Sequence, residues 1–471
     1  MKNYILDIDR HKGRTALISE NTKVSYDELT GLCAMLENVL LKDSVTFILC
    51  KNTAECIAAY IAVIESRSTP LLLNENISRK AFISLYRAYR PEYVFIDSER
   101  YDELDDFIQG RLFSFSGYSL CVTGFGGFER INTENRLLLA TSGSTGDAKL
   151  VRLSEENIRS NAESIAKYLD INRDDTAITT LPMNYTYGLS VINSHLLKGA
   201  AIAVTDASLV ELDFWEFFEK TKPSTLAGVP YTYDILDRLN FFEKDCPSLK
   251  YLTQAGGRLS VKMQEKVSSW AEKYKKKFFI MYGQTEATAR MSYLPWEKCL
   301  EKKGSIGIAI PGGSFTLESD RGETVTEADR EGELVYRGKN VSLGYALSRA
   351  DLEKGDERKG VLHTGDLAKR DDDGFYYITG RKKRFIKLFG IRVGLDGVEE
   401  MLQNELKTDI AVTGSDDSLM IYHETDISDA DIEDKTAKML GINKKVIHSR
   451  RIEKIPRNDS GKKDYKKLEM L

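Results

Sequence analysis

The sequence is poor in the residues that build disulfide-stapled or metal-rich proteins. Its six cysteines, Cys33, Cys50, Cys56, Cys121, Cys246 and Cys299, are scattered and form no C-x-x-C pair. That argues against a disulfide framework or a zinc site and for free thiols in a reducing compartment. The five histidines are well separated, so a histidine-rich metal centre is not expected. No apolar run approaches the roughly 18 residues needed to cross a bilayer. The opening MKNYILDIDRHKGR lacks the apolar stretch of a secretory leader. Neither charge dominates, since 67 Lys and Arg stand against 72 Asp and Glu for a net charge of −5. That balance does not suit a protein whose task is to grip nucleic acid or an anionic membrane. No internal repeat or low-complexity tract is present. The expectation is a cytoplasmic protein with no membrane span; its oligomeric state is not written in the sequence.

What is present is length and alternation. At 471 residues the chain has room for about two to four domains of ordinary size. Ser25 and Glu28 form an S-x-x-E capping box ahead of Leu29, Leu32 and Leu36, so a helix starts near Tyr26. Short apolar runs at 45–50, 70–73 and 93–96 alternate with helical stretches at 54–64 and 80–89. The pattern resumes with strands at 177–181, 201–205, 225–229, 251–254 and 277–282. Strands of this length separated by helices imply βαβ units and parallel sheet. The texture changes at the basic cluster RKKRFIK, which follows the turn-rich Asp371-Asp372-Asp373-Gly374. A solvated strand edge accounts for such a cluster; a domain joint does so equally. The predicted organisation is α/β, with a large N-terminal domain of βα-layered sheets over 1–382 and a small mobile α+β domain over 383–471.

The strongest chemical signal is LLLATSGSTGDAKLV. An apolar strand runs into Thr141-Ser142-Gly143-Ser144-Thr145-Gly146, and Lys149 follows. The glycines let backbone N–H groups approach a ligand, the hydroxyls add donors, and the lysine adds positive charge, which together suit phosphate oxygens. It is not a Walker A loop, because Asp147, not lysine, follows Gly146. A Ser/Gly surface turn is the plainer alternative.

This loop resembles the phosphate-binding loop of the adenylate-forming superfamily, which includes acyl-CoA synthetases, peptide-synthetase adenylation domains and luciferase. Four further segments match that superfamily in order: Tyr282-Gly283-Gln284-Thr285-Glu286, His363-Thr364-Gly365-Asp366, Gly380-Arg381 through Arg392-Val393, and Pro456-Arg457 through Gly461-Lys462. The resemblance implies ATP, Mg²⁺ and a pantetheine thiol of CoA or of an acyl carrier protein as reactants. It assigns Thr141, Ser142, Gly143, Ser144, Thr145, Gly146, Lys149, Gly256, Gly257, Tyr282, Gly283, Gln284, Thr285, Asp366 and Arg381 to the nucleotide. Glu286 is a hard oxygen ligand suited to Mg²⁺, although a carboxylate opening a helix also serves the helix dipole. Tyr282, at a strand end, suits adenine stacking, and Asp366 suits a ribose diol. Lys462 is implied to act during adenylation together with Lys149 and Glu286, and Lys383 to be the hinge.

The acyl pocket is implied to include Tyr185, Tyr187, Gly188, Val229, Tyr231, Ala255 and Gly256. Amino-acid-activating members carry an aspartate where Gly188 stands. A buried ammonium without that counter-charge is unfavourable, so an acid lacking an α-amino group is expected. The sequence departs from the family at Asp147-Ala148 and at Leu150. The chain is also shorter than typical members, which favours a carrier protein over CoA as acceptor. The implied activity is an AMP-forming acid–thiol ligase. The alternatives are an amino-acid ligase loading a carrier protein and an inactive nucleotide-binding protein.

Overall fold

A computed structural model describes residues 4–125, 131–140, 149–382, 384–389, 391–458 and 461–471, with only the backbone of 391 and 392. The expected phosphate loop, Thr141 to Gly146, and the expected hinge residue, Lys383, lie outside the described residues. The chain divides into two compact units, Met1–Ser314 with Arg337–Leu362, and Phe315–Tyr336 with His363–Leu471. The boundary expected at 382/383 falls inside the second unit. The reason is sheet pairing: Val361–Arg370 and Tyr376–Arg381 form an antiparallel hairpin in one sheet with Gly313–Glu318 and Gly332–Gly338. The change of texture at the basic cluster reports composition and carries no information about that pairing.

The first unit holds two large sheets. One has nine strands in the order Ile308–Ala309, Ser292–Leu294, Lys277–Tyr282, Tyr251–Gln254, Thr225–Gly228, Thr176–Ile178, Ala201–Ala203, Thr15–Ile18, Lys23–Ser25. Its middle is parallel, as the βαβ alternation predicts. Gly228, Gln254 and Ile280 are in register across three adjacent strands. The loops that begin at Val229, Ala255 and Tyr282 therefore leave at one carboxyl edge, where open α/β sheets bind ligands.

The second sheet of this unit has eight strands and a parallel centre formed by Val45–Cys50, Thr69–Asn74, Tyr93–Asp97 and Leu137–Ala140. Leu137–Ala140 pairs antiparallel with Leu150–Leu153, Ala140 opposite Leu150, so the residues expected to form the phosphate loop connect two adjacent strands. Gly344–Ala346 pairs on the outer side of Leu150–Leu153, with Tyr345 opposite Val151.

Local sequence explains most element starts. Ser25 caps the helix Tyr26–Glu37, and both halves of its capping box are formed. The helix Ala54–Glu65 is buried all round, which is why its apolar residues show little helical periodicity. The strand expected at 177–181 is shorter, Thr176–Ile178. Thr179 N–H still donates to the Ala203 carbonyl at 2.9 Å, and its hydroxyl donates to the Thr205 carbonyl at 2.7 Å. Among the described residues no helix is long and apolar enough to cross a membrane.

The second unit combines the sheet just described with a three-stranded sheet, Ile410–Ser415, Ser418–His423 and Ile447–Arg451. Helices Leu395–Leu406 and Asp429–Leu440 pack their apolar faces on it around Val398, Leu402, Ile421 and Ile432.

Candidate active site

The Tyr282-Gly283-Gln284-Thr285-Glu286 segment begins where the strand Lys277–Tyr282 ends. Gly283 is dictated by packing: a Cβ there would stand 1.7 Å from the Ala289 carbonyl oxygen. The chain thus folds back on itself within a few residues. Thr288 takes φ +65° and donates its hydroxyl to the Asn340 carbonyl at 2.7 Å. The Asn340 amide donates in turn to the carbonyls of Ala287 and Arg290. Ser342 N–H donates to the Glu286 carbonyl at 2.9 Å. Segment 340–345 is therefore the brace that fixes where Glu286 points.

That brace ends in a residue the sequence reading missed. Tyr345 donates its hydroxyl to Glu286 Oε1 at 2.7 Å. Its ring also carries Lys149 Nζ 3.7 Å from the centroid and the Arg358 guanidinium at 4.6 Å. Burial, then the Glu286 charge, pushes the Tyr345 hydroxyl up to about 12, so it stays a donor at neutral pH. No periodicity links residue 345 to residue 286; the signal that could have found it is strand pairing next to Lys149.

Among the described residues Glu286 makes no ion pair, and no group of three or more His, Cys, Asp or Glu is placed to hold a metal ion. A single carboxylate with one oxygen held by Tyr345 fits Mg²⁺, which takes one or two protein carboxylates plus phosphate oxygens.

The residues expected around the acyl group are brought together in part. Gly256, at φ +81°, would place a Cβ 2.5 Å from the Tyr185 hydroxyl and 3.0 Å from Val229. Tyr185, Val229 and the Ala255-Gly256 turn therefore share one wall. Gly257 sits against the Pro230 ring, and its carbonyl accepts from Gln254 at 2.8 Å. Tyr231 packs partly buried against the same core. Tyr187 is locked in place. Its hydroxyl meets Thr253 at 2.8 Å, the Arg290 guanidinium lies 4.9 Å from its ring, and burial pushes the phenol up to about 12. Arg290 is fully buried, hydrogen-bonded to Tyr168 at 3.1 Å, with no ion-pair partner among the described residues.

Gly188 packs against backbone. A Cβ there would meet the Pro182 carbonyl oxygen at 2.4 Å and that of Leu181 at 2.9 Å. Backbone therefore fills the space that a side chain at position 188 would need.

In the second unit, Asp366 and Arg381 are opposite one another in the hairpin, with Arg381 Nε 3.3 Å from Asp366 Oδ1. Asp366 is buried. Gly365, just before it in the same strand, takes φ +72°. Lys462 follows Gly461, which has φ +75°. Its neighbours are pinned: Arg457 to Asp409 at 2.5 Å, and Lys463 to Glu399 and Asp409 at 2.9 and 2.8 Å. Lys462 N–H donates to Asn458 Oδ1 at 3.0 Å. The loop that presents this lysine is thus anchored on both sides.

Comparison with known proteins places this geometry. Residues 129–346 match the sequence pattern of the family described as AMP-binding enzyme. A 2-succinylbenzoate–CoA ligase of Bacillus cereus is 26% identical over 484 aligned positions, covering 97% of this chain and 95% of that one. The long-chain-fatty-acid–CoA ligase of Yersinia pestis is 31% identical over 284 positions, 58% of this chain and 48% of that one. In structure, the chain superposes on o-succinylbenzoate CoA synthetase of Bacillus subtilis, solved with an acyl-adenylate. The TM-score is 0.80 at 22% identity, over 99% of this chain and 98% of that chain.

Proposed function

This chain belongs to the AMP-binding, adenylate-forming enzyme superfamily, and on that premise we propose that it joins a carboxylic acid to a pantetheine thiol through an acyl-adenylate. The observation that carries the reading is the cluster of Glu286, Tyr345 and Lys149 at the mouth of the strand pair that leads into the Thr141–Gly146 segment. A carboxylate with one oxygen unpaired among the described residues, sharing the Tyr345 side chain with a lysine, suits a metal-bound triphosphate better than it suits a structural ion pair.

In the first step a carboxylate oxygen of the acid forms a bond to the α-phosphorus of ATP, and the bond from that phosphorus to the bridging oxygen of pyrophosphate breaks. Lys149 neutralises charge on the phosphates, and Lys462 is assigned to the developing charge between carboxylate and α-phosphate. Mg²⁺, when bound, supplies charge neutralisation of the polyphosphate, and Glu286 would hold it. Tyr345 keeps Glu286 oriented. Tyr282, Gly256 and Gly257 are assigned to the adenine, Asp366 with Arg381 to the ribose, and Tyr185, Val229 and Ala255 to the acyl chain. In the second step the thiol sulfur attacks the acyl carbonyl and AMP leaves. Lys383 is proposed as the joint used between the two steps.

The acceptor we favour is CoA. The relatives named CoA ligases are matched over as much as 96% of their length, so the shortness of the chain is no argument against the coenzyme. A carrier protein is the alternative acceptor, and presenting both with one acyl-adenylate separates them. ATP–pyrophosphate exchange across a panel of carboxylic acids tests the reading as a whole. Acid-dependent exchange supports it, and absence of exchange with every acid favours an inactive nucleotide-binding protein.

A further inference from the structure

We propose that Arg358 is a polyphosphate-binding residue, a second cation that shares the Tyr345 ring with Lys149 and takes the pyrophosphate end of ATP. The proposal rests on the ligase reading above and deepens it.

Four observations carry it. Arg358 and Lys149 both sit over the ring of Tyr345, at 4.6 and 3.7 Å from its centroid, while that ring's hydroxyl holds Glu286. Among the described residues two cations therefore share a platform with one carboxylate, an excess of positive charge that an arriving polyanion would balance.

The carboxylates nearest in sequence are committed elsewhere. Asp356 accepts from the backbone N–H groups of Arg358 and Lys359 at 2.9 and 2.8 Å. Glu357 pairs with the buried Arg152 at 2.7 Å.

The third observation is an unmet donor. Arg358 Nη1 is buried and has no hydrogen-bond partner among the described residues. A cation–π contact satisfies the charge but not this N–H donor, so the ring alone does not explain the placement. A guanidinium fork matches phosphate oxygens in shape as well as charge.

The fourth is rigidity. The Asp356 bonds and the Val361 N–H to Arg358 carbonyl bond at 3.0 Å fix the backbone that presents the side chain. The polyphosphate is preferred over the acid as the ligand because Lys149, its companion on the ring, stands three residues after Gly146 of the Thr141–Gly146 segment.

The test is equilibrium binding of ATP, pyrophosphate and AMP by calorimetry in the presence of Mg²⁺, on the full chain and on Arg358→Ala and Arg358→Lys. Arg358→Ala should weaken ATP and pyrophosphate about ten- to a hundredfold, the range for losing a charge-assisted hydrogen bond. AMP affinity and the melting temperature should hold, and Arg358→Lys should recover part of the loss. ATP affinity unchanged in Arg358→Ala overturns the proposal, and so does equal weakening of ATP and AMP, which would mark a structural role. A parent protein that binds AMP but neither ATP nor pyrophosphate overturns the ligase reading and this assignment together. A parent that binds all three while Arg358→Ala matches it overturns this assignment alone.

Discussion

Gly283→Ala should damage this protein more than any other single methyl addition in the motif. An ideal Cβ at Gly283 stands 1.7 Å from the Ala289 carbonyl oxygen, 2.7 Å from its carbon and 2.8 Å from Arg290 Cα. A tolerable carbon–oxygen contact is about 3.3 Å, so backbone at 289–290 must move by roughly 1.5 Å. That backbone cannot move alone. Ala289 N–H bonds Ala287 O at 2.7 Å, and the amides of Asn340 and Asn161 both bond the Arg290 carbonyl at 3.0 Å. Overpacking costs about 1–3 kcal/mol, and each buried hydrogen bond left unmade adds about 1–3 kcal/mol. A total near 4 kcal/mol is a large share of a stability of roughly 5–15 kcal/mol. At about 2–4 °C per kcal/mol, the melting temperature should fall by about 8–16 °C. Because Glu286 rides on the same turn, exchange activity should fall as well. Gly257→Ala is the control: its Cβ meets only Pro230 ring atoms, the nearest at 3.1 Å, and it should melt within a few degrees of the parent. Scanning calorimetry and pyrophosphate exchange on both variants decide the matter. Gly283→Ala melting with the parent and exchanging normally would refute the claim that glycine is sterically required there.

Glu286→Gln keeps an acceptor for the Tyr345 hydroxyl but loses the charge, so it should still bind ATP while needing much more Mg²⁺ to react; an unchanged Mg²⁺ titration would assign the metal to another carboxylate. Lys462→Ala should slow adenylation by about 10²–10³-fold, the scale for one preorganised charge partner, and leave thioester formation from supplied acyl-adenylate intact. Near-normal exchange in that variant would remove Lys462 from the first step. His195 is buried, its Nδ1–H donating to the Val191 carbonyl at 2.8 Å, and burial lowers it to about 4. The unfolded chain therefore takes up this proton first as pH falls through about 6.5, and roughly 3 kcal/mol of stability drains away down to about pH 4. Denaturant titrations from pH 7 to pH 4 should show that slope flattened in His195→Gln.

The parts legible in the sequence were those governed by short-range rules. The strands Val45–Cys50, Tyr251–Gln254 and Lys277–Tyr282 run where apolar residues of strand length are bounded by turn signals. The capping box at Ser25 marked a helix start to the residue. Motif order placed Glu286, Lys149 and Asp366 by resemblance, and Glu286 and Lys149 do converge through one ring. What stayed hidden depends on pairing between distant segments. Tyr345 reaches Lys149 because Gly344–Ala346 adds to Leu150–Leu153. Asn340 matters only because the chain reverses at Gly283. The second unit's sheet borrows Phe315–Tyr336 from mid-chain, and no local pattern announces that exchange.

At position 188 the expectation against α-amino acids rests on a glycine that backbone packing also explains. The sequence argument excluded α-amino acids because glycine there supplies no counter-charge, yet the glycine is fixed by the carbonyls of Pro182 and Leu181. A firmer argument comes from Arg290. Its guanidinium is fully buried and lies 4.9 Å from the ring of Tyr187, and it has no ion-pair partner among the described residues. An ammonium brought to the wall on which Tyr185 and Tyr187 stand would find this positive charge behind the second ring and no compensating carboxylate there. In a medium poorer than water at screening charge, that repulsion is felt over several ångströms. The acid chosen should therefore be one without an α-amino group, and an acid paired with its α-amino counterpart makes the comparison direct. Pyrophosphate exchange should run at least tenfold faster with the des-amino compound, a difference of about 1.4 kcal/mol in the barrier. Arg290→Met, which keeps an unbranched apolar stem but not the charge, should narrow that ratio if the variant folds, as near-parent AMP affinity would show. An amino acid that outperforms its des-amino analogue in the parent would mean that the pocket holds a counter-charge elsewhere, and the electrostatic argument from Arg290 would fall with it.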